Sequence, residues 1–400
     1  MHVTDTSADG GTTAVPTGRS GPLPPAPVLL SPPDVGQVEE EYLLRALRSG
    51  WVAPVGPDLD AFEREVAARL GVAGAVAVSS GTAALHLILL AVGARPGTVV
   101  VVPTLTFAAT ANAVAYTGAQ PVFVDCEAGS GNLDPAVLAD LLSRLREQGR
   151  PVAAVVAVDI NGRCADHDRL RAICAAAGTP LVEDAAQALG STRDGRPAGS
   201  FGRAAALSFN GNKVITTSGG GMVVSDDPAL LARCRHLSTQ AREPVAHYEH
   251  RDVGYNYRLS NLLAALGRAQ LTRLDEMVNR RRLLRERYAK LFADVPGIRI
   301  LGEPDAESNC WLTTLVVDED VTGWSAAALA AHLAGHEIET RPMWKPMHQQ
   351  PVYRDCPALL TGAADRLFDT CVTLPSGSAL DTAQVEHVMA TVAEFLEAAR

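Results

Sequence analysis

The chain has 400 residues, 47% of them apolar, with 34 glycines and 25 prolines, which predicts a globular protein with two domains. Its formal net charge of −10 argues against a nucleic-acid or anionic-membrane surface, which needs clustered Lys and Arg, so any anion site must be local. Seven cysteines, odd in number and scattered, fit neither a secreted disulfide framework nor a paired zinc pattern.

Residues 1–27 are rich in Gly, Thr, Ser and Pro. They carry too little apolar area to offset the entropy lost on ordering, so we expect a disordered, dispensable tail. The N-terminus lacks the basic flank and apolar core of a signal peptide, and no apolar run reaches about 18 residues. From these features we expect a cytoplasmic protein that does not bind a membrane.

Residues 28–295 are predicted to form a large domain in which strands and helices alternate. Short β-branched runs of this kind are typical of strands buried on both faces of a parallel sheet. The helical segments between them begin at residues suited to the first turn of a helix. The pattern predicts a doubly wound α/β layout. The predicted strands are 76–78, 99–102, 122–124, 152–158 and 180–182, and predicted helices begin at 83, 134 and 166.

The C-terminal part is predicted to have a different order of elements. Residues 261–291 are rich in Arg and Leu and look like one long connecting helix. Beyond it we expect a second, smaller α+β domain over residues 296–400. Its predicted elements are strands at 298–301 and 311–317 and helices at 325–334 and from Asp381 onward.

Small residues mark a predicted junction of strand and helix at residues 79–86, Ser-Ser-Gly-Thr-Ala-Ala-Leu-His. Free N–H groups at a helix start can approach an anion, and Ser80 and Thr82 add hydroxyl donors. The same residues suit an ordinary helix cap, so the motif alone leaves both interpretations open. The absence of a GxGxxG pattern disfavours a dinucleotide site.

Asp184 follows a predicted strand and is therefore expected at the carboxyl edge of the sheet, where open α/β sheets bind ligands. An Asp in this position can equally cap the next helix. Gln187, one helical turn later, is placed to hydrogen-bond a second ligand atom on the same side. Together a carboxylate and an amide suit a flat ring with a protonated nitrogen and a phenolic oxygen.

Lys213 lies in a polar turn between a strand-like run and the glycines 219–221, 29 positions after Asp184. Most lysines in loops are simply solvated. The alternative is a nucleophilic amine activated by desolvation or nearby positive charge. An acidic residue followed at this distance by a lysine is the layout expected of a pyridoxal phosphate site, where the lysine holds the cofactor as a Schiff base.

Five ordered motifs, spread over most of the chain, resemble the sugar aminotransferases of the DegT/DnrJ/StrS family. The resemblance covers about residues 30–395. It implies fold type I of the pyridoxal phosphate enzymes, similar to aspartate aminotransferase, and a homodimer with both active sites at the subunit interface. The motifs are EDAAQ at 183–187, GSFG at 199–202, SFNGNK at 208–213, GYNYR at 254–258 and RPMWKPMH at 341–348.

The resemblance also implies roles for individual residues around the cofactor. It gives Lys213 the Schiff base and the proton transfers, Asp184 the ring nitrogen and Gln187 the ring hydroxyl. Phe107 is expected to stack on the ring, with a role in the core as the alternative. Asn256 is expected to reach the phosphate across the dimer. The phosphate is otherwise assigned to Ser80, Gly81, Thr82 and Ser208.

Substrate contacts are the remaining expectation of the resemblance. Arg258 is expected to bind the substrate or the glutamate carboxylate, since its fork can grip a carboxylate in two places. Trp51, Lys345 and His348 resemble family positions near the sugar pocket, with structural roles as the alternative. Cys164, His167, Asp168 and Cys174 could suggest a metal, but they lie on a predicted helix that the resemblance explains without one, so no metal is expected.

The activity implied is transfer of the amino group of L-glutamate to a nucleotide-linked keto sugar. The stretch 210–221 most resembles enzymes that aminate C4 of UDP-linked 4-keto-6-deoxy-N-acetylhexosamines, while a dTDP-linked keto sugar, a 3-keto sugar or a keto-cyclitol remains open. Family members with histidine in place of the lysine are dehydratases, and Lys213 disfavours that branch. A non-catalytic regulator with the same fold and a nicotinamide oxidoreductase are the alternatives from other classes.

Overall fold

The computed structural model describes residues 27–399, so the predicted tail, apart from Pro27, lies outside the described residues. The helices are α1 Gln37–Ser49, α2 Pro57–Leu70, α3 Gly81–Ala91, α4 Ala108–Tyr116, α5 Pro135–Glu147, α6 His167–Ala176, α7 Pro228–Ser238, α8 Asn261–Thr272, α9 Leu274–Phe292, α10 Glu319–Thr322, α11 Ala326–Gly335, α12 Ala363–Thr370 and α13 Thr382–Ala398. The strands are β1 Gly74–Val78, β2 Val99–Pro103, β3 Gln120–Val124, β4 Val152–Val158, β5 Leu181–Asp184, β6 Thr192–Arg193, β7 Arg196–Pro197, β8 Ala204–Ser208, β9 Gly221–Ser225, β10 Ile298–Ile300, β11 Thr313–Val317, β12 Arg341–Pro342, β13 Ala358–Leu359 and β14 Cys371–Leu374.

An eight-stranded sheet forms the centre of the larger part of the fold, with strand order β1-β9-β8-β5-β4-β2-β3-β13. Helices α3 to α6 alternate with the strands, so the predicted α/β class is confirmed. Strand β9 runs antiparallel to both of its neighbours. The other pairings of this sheet are parallel.

The reversed direction of β9 follows from its connection to β8. Parallel neighbours need a crossover of a dozen or more residues, usually through a helix. Residues 209–220 contain no helix and return directly from the end of β8 to the start of β9. This loop carries Lys213, so the reversal places the lysine at the carboxyl edge of the parallel strands.

Both faces of the central sheet are covered, as the apolar strands predict. In β1, Val76 and Val78 pack on one side with α3 and α4, whereas Ala75 and Ala77 pack on the other with α2 and α8. Alternation along a single strand therefore divides the core into two layers.

A second sheet, of order β10-β11-β14-β12, is antiparallel and packs against α9, α11 and α13. Two segments cross between the two sheets. Val28 packs in the core of the second sheet, and β13 pairs with β3 of the first. The division into domains 28–295 and 296–400 stays a prediction.

Helix boundaries differ from the prediction in two places that matter for the site. The predicted connecting helix is two helices, α8 and α9, interrupted at Arg273, whose guanidinium binds Asp34 and Glu39 near the N-terminus. Helix α3 begins at Gly81, two residues before the predicted start, because Ser80 caps it through the amide of Ala83.

The helix caps are otherwise located where the sequence indicates. Asp134, Asp166 and Asp381 each accept a hydrogen bond from a backbone amide of the helix that follows. Across residues 27–399, every helix is too short or too polar to cross a membrane.

Candidate active site

A cavity of about 300 Å³ opens at the carboxyl edge of the central sheet. It lies where the ends of β5 and β8, the start of α3 and the loop before β9 meet. Many of the residues predicted to hold a cofactor line it, although they come from distant parts of the chain. These predicted lining residues are Ser80, Gly81, Thr82, Phe107, Asp184, Gln187, Ser208 and Lys213.

Lys213 supplies the amine of this cavity. The chain has three lysines, Lys213, Lys290 and Lys345, and Lys213 is the one that lines it. Its Nζ lies 3.9 Å from the centre of the Trp311 ring. Burial lowers the pKa of Lys213 to about 8, against the opposing effect of the Asp184 carboxylate. The uncharged, nucleophilic fraction of the amine near neutral pH is therefore larger than for an ordinary lysine.

Asp184 is the last residue of β5 and its side chain is buried. Its Oδ2 accepts a hydrogen bond from Thr110 Oγ1 at 2.8 Å, and its Oδ1 accepts one from the amide of Ala186 at 3.2 Å. Burial raises the pKa of this carboxyl, while these two hydrogen bonds and the charge of Lys213 act against the rise. The carboxylate is thus held in one orientation by its neighbours.

Thr110 was not predicted as a site residue. It lies in the first turn of α4, 74 positions before Asp184, and its hydroxyl is also 2.8 Å from that of Thr106. The run of hydroxyl residues in Pro-Thr-Leu-Thr-Phe-Ala-Ala-Thr, 103–110, is the signal that points to this region. That signal cannot say which hydroxyl meets Asp184.

Gln187 lies in a turn rather than on the helix that the sequence suggested, and it still lines the cavity. Its Oε1 accepts a hydrogen bond from the amide of Asn161 at 2.8 Å. Asn161 is in turn fixed by its Nδ2, which donates to Thr314 Oγ1 at 2.9 Å. Because the carbonyl oxygen of Gln187 is occupied, its amide nitrogen is the group left to face a ligand.

The start of α3 fits an anion such as a phosphate. The amides of Gly81 and Thr82 have no acceptor within residues 27–399, because Ser80 caps the amide of Ala83 instead. A side chain at Gly81 would place its Cβ 2.9 Å from Cβ of Ser208. The backbone therefore approaches β8 as closely as glycine allows, and a concave, N–H-lined site results.

Aromatic rings form the walls of the cavity. Phe107 is 57% exposed, which removes the alternative that it belongs to the core, and its ring centre lies 6.4 Å from that of Trp344. Trp344 stacks on Trp311 with ring centres 6.3 Å apart, and Trp311 Nε1 donates to the carbonyl of Asn212 at 2.7 Å. Neither tryptophan was predicted in this role, because the segments next to β11 and β12, far along the chain, bring both to the site.

Together these groups fit a flat, anionic, phosphorylated ring. An amine with a lowered pKa, a buried carboxylate and an amide donor face one volume, together with helix amides that have no acceptor among the described residues. An exposed aromatic ring lies beside them. A larger cavity of about 770 Å³ adjoins it, with Asn212, Trp311 and Trp344 on the boundary of both. Reaction partners could therefore reach the amine from a neighbouring compartment.

Comparison with known proteins agrees with this geometry. The sequence model of the DegT/DnrJ/EryC1/StrS aminotransferase family matches residues 33–393. This chain belongs to that family. It is 45% identical to EpsN of Bacillus subtilis (strain 168) over 88% of this chain and 91% of EpsN.

Two further members of the family show the same relationship. GDP-perosamine synthase of Escherichia coli O157:H7 is 34% identical over 91% of this chain and 97% of its own. The crystal structure of DesI in the presence of its TDP-sugar product is 32% identical, with a TM-score of 0.84 over 92% of this chain and 93% of DesI. This member of the DegT/DnrJ/EryC1/StrS family is a pyridoxal phosphate-dependent aminotransferase of fold type I, as predicted.

Arg258 lies outside the cavity of this family member. Its Nη1 donates to Glu63 Oε1 at 2.6 Å and to the carbonyl of Ala77 at 2.9 Å, and its side chain is 8% exposed. The carboxylate that was expected from a substrate is supplied here by α2 of the same chain. This geometry favours a structural role for Arg258, because its guanidinium bridges Glu63 of α2 and the carbonyl of Ala77 in β1.

The other predicted substrate residues are dispersed. Lys345 borders the larger cavity. His348 is fixed by Thr104 Oγ1 at 2.7 Å and Asp365 Oδ1 at 3.1 Å and lines neither cavity. Trp51 is 48% exposed, away from both. Its carbonyl accepts a hydrogen bond from Asn261.

Asn256, also outside both cavities, is exposed on the surface of the chain. An exposed position is what a residue serving a neighbouring subunit requires, so its predicted role remains open.

The segment that could have suggested a metal is held by other contacts. His167, at the start of α6, bonds Asp159 Oδ1 through Nε2 at 2.8 Å and stacks on Phe201 with ring centres 4.5 Å apart. Cys164 and Cys174 are buried, and burial raises the pKa of both thiols. These contacts place His167, Cys164 and Cys174 in the core, whereas Asp168 is exposed and pairs with Arg171 at 3.1 Å.

Proposed function

We propose that this aminotransferase moves the amino group of L-glutamate onto a nucleotide-linked keto sugar. The proposed acceptor is C4 of a UDP-linked 4-keto-6-deoxy-N-acetylhexosamine. The observation that carries the proposal is the meeting of Lys213, Asp184 and the free start of α3 in one cavity that adjoins a larger one. The relatives named for GDP-perosamine and for a TDP-sugar support a nucleotide sugar as the acceptor class.

Each group of the cavity has a proposed task. The bound pyridoxal phosphate would supply the electron sink that stabilises a carbanion. The helix amides of Gly81 and Thr82 would hold the phosphate, and Asp184 would keep a proton on the ring nitrogen. Phe107 would cover one face of the ring, since stacked aromatic pairs contribute about 0.5–1.5 kcal/mol.

Lys213 has two proposed tasks, as anchor and as acid/base. Its pKa of about 8 lies close to physiological pH, where a group can both accept and return a proton efficiently. With pyridoxal phosphate and glutamate bound, the free amine would accept a proton from the α-carbon of the amino acid. In the second half of the reaction the same amine would deliver a proton to the sugar carbon that receives the amino group.

The larger cavity is the proposed place for the nucleotide sugar. Its border carries Arg341 and Lys345, which can meet a diphosphate, and Trp344, whose ring can stack on a base or a sugar. Glu339 pairs with Arg341 at 2.8 Å. This pair orients the guanidinium and leaves only part of its N–H groups available to a diphosphate. Alternative acceptors are a dTDP-linked keto sugar and a keto-cyclitol.

One assay tests the reaction and the acceptor together. Holoenzyme and L-glutamate are incubated with a panel of UDP-, GDP- and dTDP-linked keto sugars and a keto-cyclitol, and the ring position of the new amine is read by NMR. Amination of C4 of the UDP sugar supports the full proposal. Amination of another panel member alone would replace the acceptor, and loss of glutamate nitrogen to none of them would overturn the proposed function.

The matched control uses the small number of lysines in the chain. Lys213→Ala should abolish both the yellow colour and the glutamate reaction, whereas Lys290→Ala, on the exposed part of α9, should preserve both. Borohydride reduction of the holoenzyme followed by peptide mapping should label Lys213. Labelling of Lys290 or Lys345 would contradict the assignment.

We propose a homodimer with shared sites, in which the exposed Asn256 reaches the phosphate of the neighbouring subunit. Mixing inactive Lys213→Ala chains with inactive Asn256→Ala chains should restore part of the activity, since one of the two sites in a heterodimer is then intact. No recovery after verified subunit exchange would refute a shared site.

A further inference from the structure

A cluster of two histidines and one glutamate lies on helices α11 and α13, which pack against the four-stranded sheet. His332 is in the last turn of α11, His336 follows as its C-cap residue, and Glu394 is in the last turns of the neighbouring helix α13. One ligand atom from each of these three side chains lies within 4.8 Å of the others. None of the three belongs to either cavity described above.

The spacing of the histidines places them on one helical face. Residues four positions apart are neighbours on an α-helix, and the two imidazole centres are 4.7 Å apart. A tetrahedral zinc ion with bonds of about 2.1 Å needs ligand atoms roughly 3.4 Å apart. The three ligand atoms therefore have to approach one another by no more than roughly 1.4 Å, which rotation of the exposed Glu394 side chain can largely supply.

Hydrogen bonds already orient the cluster as the surroundings of a metal site do. The Nδ1 of His336 is 3.0 Å from the carbonyl of His332, which makes it the N–H and leaves Nε2 as the free lone pair. His387 lies about two helical turns before Glu394 on α13. Its Nε2 is 3.1 Å from the carbonyl of His336, and this contact connects the two helices.

An unsatisfied polar atom gives independent support. The Nε2 of His332 is buried and has no hydrogen-bond partner within the described residues, although buried polar atoms are normally paired. The ring packs near Phe395, with ring centres 5.3 Å apart. An imidazole held with one nitrogen unsatisfied beside an imidazole and a carboxylate is the kind of group that a metal ion completes.

We propose that His332, His336 and Glu394 form a binding site for a divalent transition metal, with Zn²⁺ as the preferred ion. Two imidazoles and one carboxylate are a ligand set that suits zinc, and three protein ligands leave the fourth position to water. The ion joins α11 to α13, so it clamps the helical layer of the second sheet. The site is separate from the aminotransferase cavity and does not rest on the proposed substrate.

Calorimetric titration of the chelator-treated holoenzyme with Zn²⁺ tests the site. One ion per chain is expected, with His332→Ala and His336→Ala each weakening binding at least tenfold. His247→Ala is the matched control, because His247 is an exposed histidine paired with a single carboxylate, Glu249, at 3.1 Å. That variant should bind zinc as the unaltered protein does.

Thermal unfolding supplies a second readout that reports on the clamp itself. Saturating Zn²⁺ should raise the melting temperature of the unaltered protein, since a ligand that binds only the folded state stabilises it. The His332→Ala/His336→Ala chain should lose this rise while keeping its glutamate reaction. One-to-one binding that survives the double substitution, or that is lost equally in His247→Ala, would overturn the proposal.

Discussion

The hydroxyl of Thr110 offers the sharpest test of how the candidate site is organised. It donates to Asp184 Oδ2 at 2.8 Å, and Thr110 is 1% exposed. Thr110→Val keeps the shape of the side chain but removes this donor. The remaining donor to the carboxylate is the amide of Ala186, whose bond is longer at 3.2 Å.

The expected size of the effect follows from the charge on Asp184. A hydrogen bond to a charged group contributes about 1.5–3 kcal/mol, which corresponds to roughly a 10- to 150-fold change in a binding constant. The bond stabilises the ionised form, so its loss moves the pKa of Asp184 further upward from a value that burial already raises. A neutral carboxyl cannot hold a protonated ring nitrogen. Thr110→Val should therefore weaken pyridoxal phosphate binding by this factor.

The assay is a titration of cofactor-free protein with pyridoxal phosphate. Binding is measured as the quenching of the fluorescence of Trp311 and Trp344, which line the cavity. Thr106→Val is the matched control, because Thr106 contacts the hydroxyl of Thr110 and not the carboxylate; it should change affinity less. In an Asp184→Asn background the added Thr110→Val should have little further effect. Equal affinities for Thr110→Val and the unaltered protein, or an undiminished effect in that background, would refute the reasoning.

Two further predictions concern sterics and pH. Gly81→Ala places a Cβ 2.9 Å from Cβ of Ser208, and overpacking of this kind costs about 1–3 kcal/mol. The affinities for phosphate and for the cofactor should both fall, and an added Ser208→Gly should relieve the clash in part. Binding titrations of the single and the double variant measure both effects. For His167, burial lowers the pKa, but the charge and hydrogen bond of Asp159 together with the charge of Glu183 outweigh burial and raise it. The stabilisation by the protonated ring is therefore complete below the ordinary value of about 6.5 and is lost as pH rises through the raised value. Urea unfolding midpoints should therefore fall from about pH 6.5 upward, and His167→Asn should flatten that slope; a slope that persists in the variant contradicts the assignment.

Much of this fold follows from short stretches of sequence. β-Branched runs produced the strands, and Asp134, Asp166 and Asp381 began the predicted helices, because propensity and capping depend on neighbours within about four residues. The pairing of Asp184 with Lys213 was also accessible. Asp184 ends one strand and Lys213 lies in the loop after the neighbouring strand, and adjacent strand ends of a parallel sheet meet at one edge.

Contacts between distant segments were not accessible in the same way. Arg258 is 195 positions from its partner Glu63. The sequence next to Arg258 does not indicate that a carboxylate on α2 pairs with it. The direction of β9 relative to β8 depended on whether residues 209–220 formed a crossover helix. The polar, glycine-rich sequence of this loop did not predict that direction.

The sequence by itself determined the α/β class, the family and the lysine and carboxylate on which the proposed chemistry depends, since motifs and local periodicity are written in consecutive residues. Only the tertiary structure decided that Thr110 orients Asp184, that Trp311 and Trp344 wall the cavity, and that Arg258 is paired within its own chain. The physical reason is that burial, hydrogen bonding and pKa values are set by whichever groups share a volume. The spacing of two residues along the chain does not predict whether they lie close together in the folded protein.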